Sequence, residues 1–352
     1  MRADLKLRHN QNCRWDIYSF VRSIVEAIIL ILSYISIMYF LYTRKTIYTF
    51  FKLIILSYYI IFIIAIIQKF FPKVWIYIYP VIHSGFAYDP FSPRLYSTFT
   101  EPSWFTSSLN LLIIPITYSM ILSGQYFLNN LIIKFSFISS IYLIIISTSR
   151  IGLITLLLLL IGGYISYIIF DKNSSYKKKI LKLLFQGFTI IITSIIIIQN
   201  KEFNTLSNIE NDYSNITRLS CAIVGINIFK DFPWGIGFHN TSLFFKEKYL
   251  PDFLPITPEV EMFIEKSRKG NTKNMYSRLL AETGIIGFFI YFGYIIFLYV
   301  KSLKKTNILF FKIYTTLILL SLLIVYTNTD SFMTTETLIS IAILRFLALK
   351  KL

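Results

Sequence analysis

Charge is scarce in this sequence. Only 15% of its 352 residues are Asp, Glu, Lys or Arg, whereas 55% are hydrophobic. Soluble domains carry about a quarter charged residues, because a hydrated surface must cover their apolar interior. Disordered chains contain even fewer apolar residues than soluble domains do. The composition therefore excludes both a soluble globular domain and a disordered chain, and it predicts a membrane protein.

Cysteine and histidine are rare as well, with two and three residues respectively. Cys13 and Cys221 lie far apart and form no CxxC pair, so the sequence predicts neither a metal site nor a disulfide framework. The HExxH, GxSxG and Walker patterns are also absent. These absences exclude the common soluble hydrolase and nucleotide-binding mechanisms, and no cofactor or metal is expected.

Long apolar runs dominate what is present. A helix that spans a bilayer needs about 20 predominantly apolar residues. Nine stretches come close to this length or exceed it: 17–42, 47–67, 104–123, 131–148, 151–170, 183–199, 279–300, 307–327 and 332–349. The sequence therefore predicts an all-α, polytopic integral membrane protein, in which residues 1–350 form a single transmembrane domain.

The net charge of +17 follows the apolar runs. A nucleic-acid-binding protein would need a solvated basic face, but here short Lys and Arg tracts separate the spans, as in polytopic membrane proteins. The basic tracts at 172–182 and 301–305 predict the cytoplasmic side, and counting crossings from them places 72–103 and 200–278 outside. Residues 200–278, called the large loop, carry ten basic and nine acidic residues. Such a nearly neutral segment is typical of an extracytoplasmic loop.

The basic N-terminus conflicts with a count of nine spans. Nine crossings would place Arg2, Lys6 and Arg8 outside, against the rule that short basic segments stay in the cytoplasm. Either that rule fails here, or the apolar segment 74–82 enters the membrane as a further short or re-entrant span. The predicted count is therefore nine to ten transmembrane helices.

The large loop contains one amphipathic pattern. Apolar residues at helical spacing predict a helix over 216–229. Its apolar face consists of Leu219, Ala222, Ile223, Ile226 and Phe229. Pro233 then ends the helix, and Gly235 with Gly237 makes a turn that lacks the glycine-rich continuation of a nucleotide-binding loop.

Ionisable groups at membrane boundaries are costly and tend to be functional. In the predicted topology Glu101, Arg150, Arg278 and Glu282 all lie at the outer boundary. Arginines suit a phosphate-bearing ligand, because the guanidinium stays charged and binds phosphate oxygens bidentately. Simpler explanations exist: Arg278 and Glu282 would form an ordinary i,i+4 helix pair. Glu101 would be a helix-start acid and Arg150 a turn arginine at the headgroups.

Four short stretches between 94 and 287 carry a family likeness. They are Arg94-x6-Glu101-Pro102-Ser103, Thr148-Ser149-Arg150-Ile151-Gly152, Arg218 followed by Phe232-Pro233-Trp234-Gly235-Ile236-Gly237, and the segment from Asn274 to Gly287. In this order and spacing they resemble the O-antigen polymerase and ligase family of bacterial surface polysaccharide assembly, most closely the Wzy-type oligosaccharide repeat-unit polymerases.

The resemblance implies a metal-independent, multi-pass glycosyltransferase at the outer face of the bacterial inner membrane. A growing glycan would leave its undecaprenyl diphosphate carrier and join a hydroxyl of the next lipid-linked repeat unit, building O-antigen, capsule or exopolysaccharide. By this resemblance Arg150 and Arg218 hold the diphosphate groups, while Glu101 is a base or orients the acceptor. The residues assigned to substrate binding are Arg94, His239, Asn240, Lys273, Asn274, Arg278 and Glu282.

One position departs from the family pattern. Ligases and some polymerases look like His-Asn where this chain has Lys273-Asn274. The histidine that would be their base is therefore missing, and His239 lies too early in the sequence to replace it; a loop histidine is more often structural than a base. The departure favours a polymerase over a ligase, and Lys273 would instead hold a phosphate or pair with a loop carboxylate.

Alternatives from within and outside this chemistry stay open. An O-antigen ligase would use the same arginines, and so would a non-catalytic flippase or transporter of the same lipid-linked unit. A transporter should show internal pseudo-symmetry, and the sequence contains no repeat. A non-enzymatic scaffold would have no reason to group Glu101, Arg150 and Arg218. The expected partners are undecaprenyl-diphosphate-linked oligosaccharides, membrane lipid, a chain-length regulator and a flippase, without nucleic acid.

Overall fold

The computed structural model of the protein describes residues 28–29, 31–41, 47–82, 94–99, 101–171, 187, 213–265, 270–329 and 334–350. Throughout these residues the regular structure is helical, which confirms the prediction of an all-α chain. The helices are α1 (Ile31–Leu41), α2 (Ile47–Phe70), α3 (Pro72–Ile82), α4 (Pro102–Ser123), α5 (Asn130–Ile146), α6 (Arg150–Phe170), α7 (Tyr213–Asp231), α8 (Thr241–Phe244), α9 (Pro258–Glu265), α10 (Met275–Lys305), α11 (Leu309–Val325) and α12 (Thr335–Leu349).

Four of these helices are long and apolar enough to cross a membrane, namely α2, α4, α6 and α10. The apolar helices α1, α5 and α11 are shorter, and the predicted span at 332–349 is the 15-residue helix α12. The predicted span 183–199, apart from residue 187, and most of the first half of 17–42 lie outside the described residues. The protein is an all-α membrane protein with four candidate spans among the described residues, rather than the predicted nine to ten.

The segment 74–82 belongs to the short helix α3. This helix has 11 residues and follows directly on α2. At 1.5 Å per residue it is about 16 Å long, roughly half the thickness of the hydrocarbon core. Within the described residues its length is that of a short or re-entrant element, not of a complete crossing.

The chain divides into two compact units. The first comprises Met1–Tyr39, Asn208–Tyr294 and Tyr326–Thr334, and the second comprises Phe40–Ser207, Ile295–Val325 and Thr335–Leu352. The described part of the large loop, with α7, α8, α9 and the start of α10, falls in the first unit. Helices α4, α5, α6, α11 and α12 fall in the second.

Helix α4 is the centre of the second unit and is almost entirely buried. A π-helical turn over Leu109–Ile113 precedes Pro115. The ring of a proline clashes with the preceding turn of a regular α-helix, and proline has no N–H to donate. Because the Ile114 N–H bonds to Leu109 O, the carbonyl of Asn110 is released, and Ser321 Oγ of α11 donates to it at 2.6 Å. A buried polar contact thus ties α4 to α11.

Close packing joins α4 to α6 in the same unit. A Cβ on Gly163 of α6 would lie 2.4 Å from Cε1 of Tyr118, whose hydroxyl donates to Leu160 O at 2.9 Å. Small residues allow helix backbones to approach each other, and this contact stabilises helix pairs in membranes. The α6 glycines therefore fix how closely the two helices pack.

Helix α7 confirms the predicted helix over 216–229 and contributes to the core of the first unit, but its buried face differs from the predicted one. Cys221, Val224 and Ile228 are fully buried, whereas Leu219 and Ile226 are 50% and 41% exposed. Small residues decide the orientation, as Gly225 shows: a Cβ there would lie 3.0 Å from the main-chain oxygen of Ser277. The predicted apolar face was therefore wrong, because backbone approach favoured the face with small side chains.

Candidate functional site

Helix α10 is broken at Gly284, where φ is 66° and ψ is −169°. This backbone conformation is essentially restricted to glycine. A break removes hydrogen bonds between successive helical turns, and an apolar environment makes such a loss costly. The segment 233–237 supplies replacements through three main-chain bonds. They are Ile236 N–H to Ala281 O at 2.9 Å, Gly237 N–H to Glu282 O at 2.9 Å, and Ile285 N–H to Pro233 O at 3.1 Å.

Two glycines make this docking possible. A Cβ on Gly284 would lie 2.4 Å from the carbonyl carbon of Trp234, and a Cβ on Gly235 would lie 2.5 Å from Glu282 O. Both distances are shorter than real Cβ contacts, and the opposing atoms belong to the main chain. The family-like stretches around 232–237 and 274–287 therefore meet at positions where only glycine fits.

A buried ion pair lies beside this break. Arg278 Nε donates to Glu282 Oε1 at 3.1 Å, and the two side chains are only 12% and 1% exposed. Thr241 Oγ1 donates to the same carboxylate oxygen at 2.7 Å. The structure therefore contains the predicted i,i+4 pair. Unlike an ordinary surface pair, it is buried and also accepts a hydrogen bond from Thr241.

His239 is held against the same arginine. Arg278 Nη2 lies 3.1 Å from His239 Nδ1. A guanidinium only donates, so Nδ1 accepts and the imidazole carries its proton on Nε2. His239 has a positive φ of 63°, and the Asn240 side chain donates to Ile236 O at 2.9 Å. Both residues therefore fix the shape of the loop beside Arg278.

Arg278→Met is expected to destabilise the protein by about 3–5 kcal/mol, because it leaves the Glu282 carboxylate buried without its counterion. The additional change Glu282→Gln should recover part of that loss. Apparent melting temperatures of the detergent-solubilised single and double variants measure both effects. The matched control is Lys248→Met, which removes an exposed ion pair with Asp231 and should leave the melting temperature unchanged. Equal melting temperatures for Arg278→Met and this control would contradict the prediction.

Lys273 pairs with a loop carboxylate, which was one of its two predicted roles. Its ammonium donates to Glu259 Oε1 of α9 at 2.5 Å. The neighbouring Asn274 caps α10, since its Oδ1 accepts from Ser277 N–H at 3.1 Å. Its Nδ2 donates to Thr327 O at 3.0 Å. Both residues therefore hold the start of α10 in place.

Arg218 extends from α7 to the turn that follows α11. Its Nη1 donates to the side-chain oxygen of Asn328 at 2.5 Å and to the main-chain oxygen at 3.3 Å. The same turn accepts the Met275 N–H at Tyr326 O. The arginine predicted to bind a diphosphate thus contacts a protein amide in this structure.

In the second unit, Glu101 directly precedes α4, and Arg94 lies seven residues before Glu101. Glu101 is the N-cap residue of α4 with extended backbone, and its Oε2 accepts from Ser103 Oγ at 3.1 Å. Arg94 Nη2 donates to Thr148 O at 3.4 Å. Glu101 therefore occupies the helix-start position that its simpler explanation required.

Gln68 of α2 is a structural residue that the sequence analysis missed. Its Oε1 accepts from the N–H groups of Tyr96 and Ser97 at 3.1 and 2.8 Å, and its Nε2 donates to Arg94 O at 3.2 Å. A single amide side chain at the end of an apolar span was the available signal, because polar groups in such positions are costly. Gln68 anchors the segment that carries Arg94.

Arg150 begins α6, directly after the capping residue Ser149. The hydroxyl of Ser149 accepts from Gly152 N–H at 3.3 Å and from Thr106 Oγ1 of α4 at 3.0 Å. A Cβ on Gly152 would lie 2.5 Å from Thr106 Cβ. The starts of α4 and α6 therefore pack together, which brings the stretches containing Glu101 and Arg150 to one end of the second unit.

The predicted site residues thus fall into two sets. The second unit contains Arg94, Glu101 and Arg150. The first unit contains Arg218, His239, Asn240, Lys273, Asn274, Arg278 and Glu282. No group of three or more His, Cys, Asp or Glu side chains that could hold a metal ion occurs in the part of the chain that the structure describes.

Comparison with known proteins gives one finding. Residues 135–292 match the family model described as O-antigen ligase, Wzy_C. The matched range holds every predicted site residue except Arg94 and Glu101. No curated protein and no solved structure matches the chain. Residues 135–292 of this membrane protein therefore carry a domain that matches the O-antigen polymerase and ligase family.

Proposed function

We propose that the protein is a membrane glycosyltransferase that polymerises undecaprenyl-diphosphate-linked oligosaccharide repeat units into O-antigen, capsule or exopolysaccharide. The match of residues 135–292 to the O-antigen ligase family model supports this function. The observation that carries it is the docking of 233–237 onto the break in α10. It joins two family-like stretches and holds Arg278, Glu282 and His239 beside one another.

The proposed enzyme is a multi-pass protein of the bacterial inner membrane, with nine to ten spans and the large loop outside. The four candidate spans and the three shorter apolar helices support part of that topology. The basic tract at the end of α10, with Lys301, Lys304 and Lys305, supports a cytoplasmic position for that end.

The proposed reaction breaks the bond between the anomeric carbon of the glycan and its diphosphate oxygen. A new bond forms to a hydroxyl oxygen of the next repeat unit, and a base takes the hydroxyl proton. Arg150 and Arg218 would stabilise the charge that develops on the diphosphate, and fixed guanidinium groups do so without a metal. Glu101 would accept the proton or orient the hydroxyl. Arg218 would then exchange its contact with Asn328 for a phosphate oxygen.

The choice of polymerase over ligase rests on position 273. The ligases and some of the polymerases that the sequence resembles have a histidine there, and this chain has a lysine. In the structure the Lys273 side chain pairs with Glu259. A chain-length regulator and a flippase remain the proposed partners.

Purified protein in proteoliposomes tests the proposed function. The probe is the lipid-linked repeat unit extracted from cells that lack this protein. A polymerase should convert it into a ladder of carrier-linked oligomers. A ligase would yield no ladder and would transfer glycan only to an added acceptor. A transporter would move the lipid-linked unit between leaflets without forming new glycosidic bonds. Either of the last two results would overturn the proposal.

A further inference from the structure

The exposure of α10 changes abruptly at Gly284. Residues 275–284 are buried or half-buried, and none is exposed. Beyond the break, exposed apolar side chains recur at helical spacing. They are Ile286, Phe289, Ile290, Ile296, Phe297 and Val300. An apolar stripe of this kind on a candidate span is the surface that contacts lipid.

The length of the helix agrees with this boundary. Residues 285–304 make a helix of about 30 Å, which equals the thickness of the hydrocarbon core. Lys301 and Lys304 lie in the last turn of that segment, Lys305 follows it directly, and Gly284 directly precedes it. A hydrocarbon segment of this length would therefore begin at the break, about one and a half turns later than the sequence pattern predicted.

Trp234 lies at the same level. Its main chain packs directly on Gly284, yet its side chain leaves the residue 75% exposed. Tryptophan is enriched at the interface between membrane and water, because its large ring is apolar and its N–H is polar. An exposed indole beside the start of a lipid-facing stripe is typical of such an anchor.

We propose that the segment 232–238 rests on the outer lipid surface, with Trp234 in the headgroup region as its anchor. Lipid is the occupant because the exposed Trp234 lies against Gly284, two residues before the first side chain of the exposed apolar stripe of α10, Ile286. The main-chain bonds between 233–237 and α10 hold the anchor at a fixed depth. The inference itself does not depend on the proposed reaction.

One consequence does rest on the proposed function. Glu282 and Arg278 precede Gly284 by two and six residues, which is about 3 and 9 Å along a helix. The headgroup layer is about 5–8 Å thick on each side of the bilayer. Glu282 would therefore lie within the headgroup layer and the Arg278 backbone at its outer edge, so the ion pair would lie next to the depth where a lipid carrier presents its diphosphate.

Spin-label depth measurements test the anchor. Cys13→Ser removes one native thiol, and the fully buried Cys221 stays; protein without an introduced cysteine should take up almost no label. A nitroxide is then attached to Trp234→Cys in proteoliposomes. The reference positions are Ile290→Cys, about 9 Å along the helix from Gly284, and the exposed Lys248→Cys. Collision with oxygen and with a water-soluble nickel chelate gives the depth of each label.

The label at 234 should lie between the two references, with nickel access at least several-fold below that at 248. Nickel access equal to that at 248 would overturn the proposal, because the position would then be in water. Protection that disappears as the lipid-to-protein ratio rises would also overturn it, because a second copy would then cover the surface. A preparation that forms no polymer but gives the expected depth would refute the proposed function alone.

Discussion

Gly284→Ala is expected to prevent the protein from folding around the break in α10 and to abolish polymer formation. The backbone at position 284, with φ 66° and ψ −169°, is strained for alanine. The Cβ of alanine would also lie 2.4 Å from the carbonyl carbon of Trp234. That carbon has no room to move, because the main-chain bonds of Pro233 and Ile236 hold the segment. Backbone strain and overlap together should cost about 3 kcal/mol or more. Apparent melting temperature and polymer yield measure the two effects.

The same helix offers a matched control. A Cβ on Gly293 would meet nothing within 4 Å. Gly293→Ala should therefore be neutral or stabilise the helix by up to about 1 kcal/mol, because alanine is the better helix former. A Gly284→Ala protein that melts like Gly293→Ala would show that the docking of 233–237 does not hold α10.

Arg218→Ala and Arg150→Ala are each expected to lower polymer formation by about 100-fold or more, which is the loss typical of removing one charge-stabilising donor from a reaction centre. Cells that carry either variant should accumulate single repeat units on the lipid carrier. Gel analysis of surface glycan and of the carrier-linked pool measures both. Polymer stranded on its carrier would instead indicate a ligase, and unchanged polymer length would refute the assigned roles.

Each arginine needs its own control, because Arg218 also holds a turn. Asn328→Ala removes the side-chain partner of Arg218 and leaves the guanidinium and the main-chain oxygen of residue 328 in place. If Arg218 acts on phosphate, this variant should retain most of the polymer; if Arg218 only anchors the turn, the variant should lose much of it. Arg150→Lys keeps the charge but loses the bidentate fork, so it should retain part of the activity.

Much of the helical architecture could be predicted from hydrophobicity, because an apolar run of 20 residues has few alternatives in a membrane. The predicted runs at 47–67, 104–123 and 151–170 agree with α2, α4 and α6 within a few residues. The face of α7 was less predictable. Its apolar residues suggested one orientation, but the small side chains around Gly225 allowed closer packing on the other.

The candidate site was predictable as a set of residues, but its contacts were not. Arg278 and Glu282 could be paired from their spacing alone, since i and i+4 lie on one helical face. Thr241, which donates to Glu282, and Asn328, which accepts from Arg218, lie 41 and 110 residues away from their partners in sequence. Sequence spacing carries no information about such contacts, because only chain folding brings them together.

The sequence alone indicates a helical membrane protein, and residues 135–292 match the O-antigen polymerase and ligase family. Scarce charge and long apolar runs leave helices as the main structure that satisfies the backbone in lipid, and the ordered motifs indicate the family. Only the tertiary structure decided that α10 breaks at Gly284 and that the segment 233–237 completes its hydrogen bonds. The physical reason is that Gly235 and Gly284 permit this close approach but do not dictate it, since the partner backbone is distant in sequence.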